Sequence, residues 1–210
     1  MAAALINGVQ SEGIGTSLKH FVANNQEFER MSINAEVDER ALREIYLAGF
    51  EIAVKASQPD TMMCAYNKIN GDFASEHKYL LHDILKTEWN YKGIVMSDWS
   101  AVHERPLGVE AGLHLEMPGN GGVNDKKIVK AVQDGVLSEE RLNEIVGEWL
   151  NIILKLDANK RKYASFDENE HHQLAQEASA EGIVLLKNED NILPLANDEK
   201  IAIIGQFAKT

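Results

Sequence analysis

The sequence predicts an α/β fold, a partial (β/α) TIM-like barrel that gives way to the beginning of a second α/β domain. Three observations lead there. Short apolar runs alternate with amphipathic helical stretches as far as about residue 120. Each of the first three runs finishes on polar residues of a catalytic type, and the active site of a (β/α) barrel sits at the C-terminal ends of its strands. A doubly wound sheet would show the same alternation, but also a Gly-rich phosphate turn after a strand, and none of these runs ends in one.

The elements follow in order. Gly15-Thr16-Ser17-Leu18 runs into Lys19-His20, Thr61 to Ala65 into Tyr66-Asn67, and Gly93 to Ser97 into Asp98-Trp99. Such short, continuously apolar runs suit buried parallel strands. A fourth strand is expected from Gly112 to Glu116. Between the first two lies a helix from Glu36 to Ser57, with Val37, Ala41, Ile45, Ala48, Ile52 and Ala56 on one stripe and Pro59 as its stop. His77 to Trp89 repeats the pattern with Leu80, Leu81, Ile84 and Leu85. Ser138 opens a third helix as N-cap, with Glu139 and Glu140 in a first turn that favours acids. Its stripe is Leu142, Ile145, Trp149, Ile153 and Leu156. Gly119-Asn120-Gly121-Gly122 reads as a loop.

Residues 1–156 are therefore expected to form the C-terminal part of a barrel. Residues 157–171, polar and without period, are expected as a linker. Residues 172–210 are expected to start a truncated domain, with a short helix from Leu174 to Ala180 ending at Gly182 and strands at 183–187 and 201–205. Since a closed barrel needs about eight strands, the expectation is a piece of a longer protein.

A net charge of -12 argues against nucleic acid as a partner, because phosphate binding needs clustered Lys and Arg. It suits a neutral or cationic small substrate. No run approaches the roughly 18 apolar residues of a membrane span, so no membrane partner is expected. Cys64 is the one cysteine, which excludes an intrachain disulfide and a Cys-based zinc site. In its apolar run it reads as a buried thiol. His171-His172 lacks an acid at metal-ligand spacing, and there is no HExxH, P-loop or GxSxG, so no metal or cofactor is expected. The start Met-Ala-Ala-Ala-Leu-Ile-Asn-Gly is no secretory leader. A cytoplasmic location is the expectation, weakened if residues precede Met1.

Asp98 is the sharpest candidate. A carboxylate at the end of an apolar strand beside Trp99 is a rigidly held nucleophile next to a platform on which a sugar can stack. The alternative is an Asp capping the next helix. Lys19-His20 can hold sugar hydroxyls through charge-assisted bonds, or be a surface Lys and a core His. Tyr66-Asn67 supplies a hydrogen-bonding pair that would keep a nearby carboxylate ionised, or a Tyr that simply packs.

Taken together these blocks resemble glycoside hydrolase family 3, of the β-glucosidase type. The resemblance is carried by Lys19-His20-Phe21-Val22-Ala23-Asn24-Asn25-Gln26-Glu27, by Glu39 to Leu47, and by Met63-Cys64-Ala65-Tyr66-Asn67-Lys68-Ile69-Asn70-Gly71. It continues through Gly93-Ile94-Val95-Met96-Ser97-Asp98-Trp99, Gly112-Leu113-His114-Leu115-Glu116-Met117-Pro118-Gly119 and Leu185 to Leu195. The resemblance implies a second half-barrel followed by an α/β sandwich domain. It implies retaining hydrolysis of a terminal β-D-glucosyl or related residue, with Asp98 as the nucleophile of a covalent glycosyl–enzyme intermediate. It implies that Lys19, His20 and Arg30 hold the sugar, that Tyr66 stands beside the nucleophile, and that Trp99 walls the pocket. The substrate implied is a β-linked glucoside or oligosaccharide, with a β-xylosidase or other β-glycosidase of the family as the alternative. Many members have Asp where this chain has His114, which leaves fine specificity open. The general acid is implied to come from the second α/β domain, beyond Thr210, and Glu116, Glu104 and Glu76 are left unassigned.

Two rival readings belong to other classes. The chain could be a catalytically incomplete piece that binds sugar weakly and self-associates through exposed barrel edges. Lys19 could instead be the Schiff-base lysine of a barrel aldolase, which would leave Asp98-Trp99 without a role.

Overall fold

The computed structural model describes residues 1–209. They divide into two compact units, one from Met1 to Lys160 and one that begins at Arg161. The first is a parallel sheet covered by helices. Its strands β1 (Ser17–Phe21), β3 (Thr61–Cys64) and β6 (Ile94–Met96) lie in the order β1-β3-β6, with Ser17 against Thr61 and Thr61 against Ile94. A parallel bridge from Met96 to Leu115 begins the fourth strand position, within the stretch expected from the sequence. Consecutive parallel strands joined by helical crossovers are the repeating unit of a (β/α) barrel. The pairing of β1 with β3 is irregular between Leu18 and Phe21, where the Lys19–His20 and Phe21–Val22 peptides are cis.

The first crossover starts at Asp38, whose side chain accepts from the N–H of Ala41 and caps α2 (Glu39–Ala41). It passes through a π-helical stretch, Leu42–Tyr46, into α3 (Ala48–Ser57). This corrects the predicted stripe. Ile45 and Ile52 are 69% and 68% exposed, and the buried residues are Leu42, Leu47, Ala53 and Val54. The cause is the wider turn, in which the Leu47 N–H reaches back five residues to the Leu42 carbonyl. It shifts the phase that a uniform period of about 3.6 would continue. The second crossover is π-helical from Tyr79 to Glu88, and here the predicted Leu80, Leu81, Ile84 and Leu85 are all buried. They join Phe21, Leu42, Met62, Val95 and Leu113 in the main core.

Gly93, the residue before β6, is required by close approach. A Cβ there would stand 2.5 Å from the Asp60 carbonyl oxygen and 2.6 Å from that of Pro59. After β6 comes α4 (Arg105–Ala111), ended by Gly112 at φ +113°. Next are α5 (Val123–Gln133) and the long α6 (Glu139–Ala158), capped by the Ser138 hydroxyl on the Arg141 N–H. In α6 the buried positions are Ile145 and Ile152, while the predicted Ile153 is 41% exposed.

Besides α4 and α5, a first helix and a second sheet were not predicted. α1 (Ala2–Ser11) packs against α3, and its Gln10 donates to the carbonyl of Gln58 and accepts from the N–H of Asp60, just before β3. A small second sheet pairs β2 (Asn34–Ala35) with β4 (Lys68–Ile69) in parallel, and β4 with β5 (Asp72–Phe73) antiparallel. In the second unit α7 runs from Glu168 to Gly182, longer than the expected 174–180. Residues 183–187 and 201–205 form no strand, which corrects two expectations. Their apolar side chains, such as Leu186 and Ile204, are exposed, and an apolar run becomes a strand only when an edge pairs with it.

Leu81→Ala would remove a fully buried side chain from the middle of the main core. It is expected to lower stability by about 2–5 kcal/mol, read as the shift in a urea midpoint at constant slope.

Candidate active site

The parallel ladder carries β1, β3 and β6 to one edge, and their last residues converge there. Asp98 follows β6 by two residues and is 5% exposed. Its Oδ1 accepts the Trp99 N–H at 2.7 Å, and its Oδ2 stands 3.5 Å from His20 Nε2. The third neighbour is Tyr66, just past β3, whose phenol lies in the field of the carboxylate. Burial and the neighbouring Asp98 carboxylate push the phenol above its ordinary range, so Tyr66 keeps its proton. Asp98 caps no helix, since α4 begins only at Arg105, and the alternative reading of that residue is removed.

Ser97 fixes the chain on the near side of Asp98. Its Oγ accepts the Met117 N–H at 2.7 Å and donates to the Met117 carbonyl at 3.3 Å. Trp99 turns outward and is 57% exposed, a free aromatic face one residue from the carboxylate. The Arg30 guanidinium lies 5.4 Å from the centre of the Tyr66 ring and pairs with Glu27 at 2.9 Å. The second sheet makes this meeting possible, because β2 pairs with β4 directly after the Tyr66-Asn67 turn.

The structure thus brings His20, Tyr66, Trp99 and Asp98 together, with Arg30 one contact further out. Lys19 is exposed on β1 and makes no hydrogen bond or ion pair to the others. Of the unassigned carboxylates, Glu76 accepts the N–H groups of His103 and Glu104 at 2.9 and 2.6 Å. Glu116 accepts from Asn120 and Asn124 at 3.0 and 2.7 Å and lies 3.8 Å from Arg105 Nε. Both are occupied in holding loops. Glu104 precedes α4 without a side-chain cap. Among the described residues no group of three or more His, Cys, Asp or Glu is placed to hold a metal ion, and no helix is long and apolar enough to cross a membrane.

Sequence reasoning missed Ser97, whose signal was its place at a strand end beside Asp98. It also gave His114 no partner. That imidazole is buried between the Val95 N–H and Glu148, at 3.0 and 2.6 Å.

Comparison with known proteins gives the family of the chain. The family described as glycosyl hydrolase family 3 N terminal domain matches residues 1–152. The chain is 54% identical over 209 residues to thermostable beta-glucosidase B of Acetivibrio thermocellus, covering 100% of this chain and 28% of that protein. It is 45% identical to an exo-alpha-(1->6)-L-arabinopyranosidase of Bifidobacterium longum, covering 29% of it. Among solved structures, the GH3 beta-glucosidase of Bifidobacterium adolescentis superposes with a TM-score of 0.89 at 46% identity, over 99% of this chain and 31% of that one. Beta-glucosidase 3B of Thermotoga neapolitana in complex with alpha-D-glucose gives 0.85 at 44% identity, over 92% and 28%. The chain spans less than a third of the length of these relatives. With a barrel edge that gathers a buried carboxylate, a tyrosine, a histidine and an open tryptophan, and a family match over most of its length, the chain belongs to glycosyl hydrolase family 3.

Proposed function

We propose that this chain forms the nucleophile-bearing part of a retaining β-glucosidase-type enzyme that releases terminal β-D-glucosyl residues from β-linked glucosides or oligosaccharides. The observation that carries the reading is the Asp98 carboxylate, buried at the end of a central parallel strand, held by the Trp99 N–H, with His20 Nε2 3.5 Å from its other oxygen and Tyr66 beside it. In the first step an Asp98 oxygen attacks the anomeric carbon. The bond to the leaving oxygen breaks, and a general acid protonates that oxygen. In the second step water attacks the same carbon, the same acid residue now acts as base, and Asp98 is released.

Tyr66 and His20 flank the attacking carboxylate and fix its orientation, which lowers the entropy cost of reaching attack geometry. Trp99 offers the apolar C–H face of the sugar a stacking surface, and Lys19, His20 and Arg30 supply donors for its hydroxyls. Retaining chemistry places the acid roughly 5–5.5 Å from the nucleophile. Glu76 and Glu116 are committed to loop contacts, so we assign the acid to a carboxylate other than these. The small substrate also fits the acidic surface, with its net charge of -12. A second reading, a pentopyranoside-acting enzyme, is favoured by the 45% identity with the arabinopyranosidase.

Asp98→Ala is expected to lower hydrolysis of an aryl β-glucoside by roughly ten-thousandfold while the melting transition persists, and 2-deoxy-2-fluoro-β-glucosyl fluoride should leave an adduct that peptide mapping puts on Asp98. Unchanged hydrolysis, or an adduct on another residue, removes the assignment. Tyr66→Phe is expected to slow glycosylation by about 10- to 100-fold, seen in the pre-steady-state burst, with the affinity for glucose little changed. For specificity, kcat/KM for aryl β-glucoside, β-xyloside and α-L-arabinopyranoside should favour the glucoside, and a preference for either pentoside would establish the second reading.

A further inference from the structure

The strand that delivers Asp98 is gripped from below by three side chains that the chemistry above does not use. Val95, in the middle of β6, directs its N–H and its carbonyl toward the 113–117 segment. The carbonyl accepts the N–H groups of His114 and Leu115 at 2.9 and 3.2 Å. The N–H finds no carbonyl there and donates instead to Nδ1 of His114 at 3.0 Å. An imidazole ring thereby takes a place in the ladder that a peptide group would normally fill.

That one bond settles the proton count of the ring. A nitrogen that accepts from a backbone N–H keeps its lone pair, so the proton is on Nε2. Nε2 faces Glu148 Oε2 at 2.6 Å, and the same oxygen accepts from Lys86 Nζ at 2.7 Å. Lys86 Nζ also donates to the Gly93 carbonyl at 2.9 Å. The result is a clamp with two jaws and one hinge. His114 holds β6 at Val95, Lys86 holds it at Gly93, and Glu148 on α6 joins the two. The His114 side chain is fully buried, while that of Glu148 is 43% exposed.

We propose that His114, held neutral by the Val95 N–H at its Nδ1 and tied through Glu148 to Lys86, is a positioning residue for Asp98, setting the height of β6 and with it the place of the carboxylate three residues beyond Val95. The proposal rests on Asp98 being the nucleophile. Electrostatics agree with the geometry. Burial drives the His114 imidazole below its ordinary range, against the pull of Glu148. Burial would raise Glu148, but the hydrogen bonds from His114 and Lys86 prevail and hold it at about 2. Burial also lowers Lys86. The other charges facing the group are Arg141 on α6, Lys92 near Lys86, and Arg105 on α4, whose guanidinium donates to the Leu113 and His114 carbonyls at 3.0 and 3.0 Å. A base with a depressed pKa contributes stability above its unfolded value near 6.5 and loses it as pH falls toward the folded one. Glu148 adds a second loss, between its ordinary 4.5 and about 2.

Two substitutions separate the jaws. In His114→Asn the side-chain oxygen sits where Nδ1 does and keeps the Val95 bond. In His114→Gln the amide nitrogen reaches Glu148 and leaves the Val95 N–H unpaired. The experiment measures the rate of glycosyl–Asp98 formation on the full chain in the enzyme that carries it, together with the glucose dissociation constant. His114→Asn is expected to react within about threefold of the unsubstituted enzyme and His114→Gln about 10- to 100-fold more slowly, with glucose affinity the same in both. Equal slowing of the two, or a His114→Gln rate within twofold of the original, would overturn the proposal. Should either variant fail to fold, Glu148→Gln serves instead, and a drop of less than about twofold in the same rate would overturn it. Failure of the nucleophile assignment itself would appear in the unsubstituted enzyme, as an adduct on a residue other than Asp98.

Discussion

The parallel pairing of β3 with both β1 and β6 is the contact on which the rest of the structure depends. Met62 sits opposite Leu18 on one side and Val95 on the other, so the three chains run level and finish at the same edge. Parallel strands cannot be joined by a tight turn, and this forces the helical crossovers that cover the sheet. It also means that whatever follows each strand is delivered to one place. His20, Tyr66 and Asp98 are far apart in sequence and meet because their strands share a register. A slip of one residue in β6 would turn the side chains of Ile94, Val95 and Met96 to the opposite faces and take Asp98 away from His20.

Much of this was legible in the sequence for a physical reason. A strand buried on both faces must be apolar throughout, so β3 and β6 announce themselves, and a carboxylate directly after such a run stands out. Helical stripes were legible only where the winding is regular or its irregularity leaves the buried face unchanged. The Leu80 to Leu85 stripe survives its π-helical winding, whereas the turn between Leu42 and Leu47 moves Ile45 and Ile52 to the surface. The second sheet was invisible because two-residue strands are too short to hold a pattern, although they bring Arg30 over Tyr66. In the second unit the opposite error occurred. The apolar runs 183–187 and 201–205 have strand composition, but composition does not supply a partner edge.

The His114 cluster was beyond reach for another reason. Its members are separated by 34 and 62 residues, and none carries a local signature. In the sequence His114 appears only as a departure from the Asp that many family members have there. In the fold it is a ring with one nitrogen accepting and the other donating, and an acceptor-only carboxylate could not make both bonds. A histidine here calls for Glu148, and Glu148 in turn calls for Lys86, so three positions constrain one another across three elements of structure.

Cys64 ends β3 on the line that leads to Tyr66. It is the single cysteine and is fully buried, and burial raises its thiol to about 12. Since the thiolate is the reactive form, this sulfur is silent toward alkylating reagents and mild oxidants while the sheet is closed. The molecule therefore carries its own opening gauge. Modification of Cys64 counts the moments when β3 parts from its neighbours, at a point two residues from the tyrosine beside Asp98.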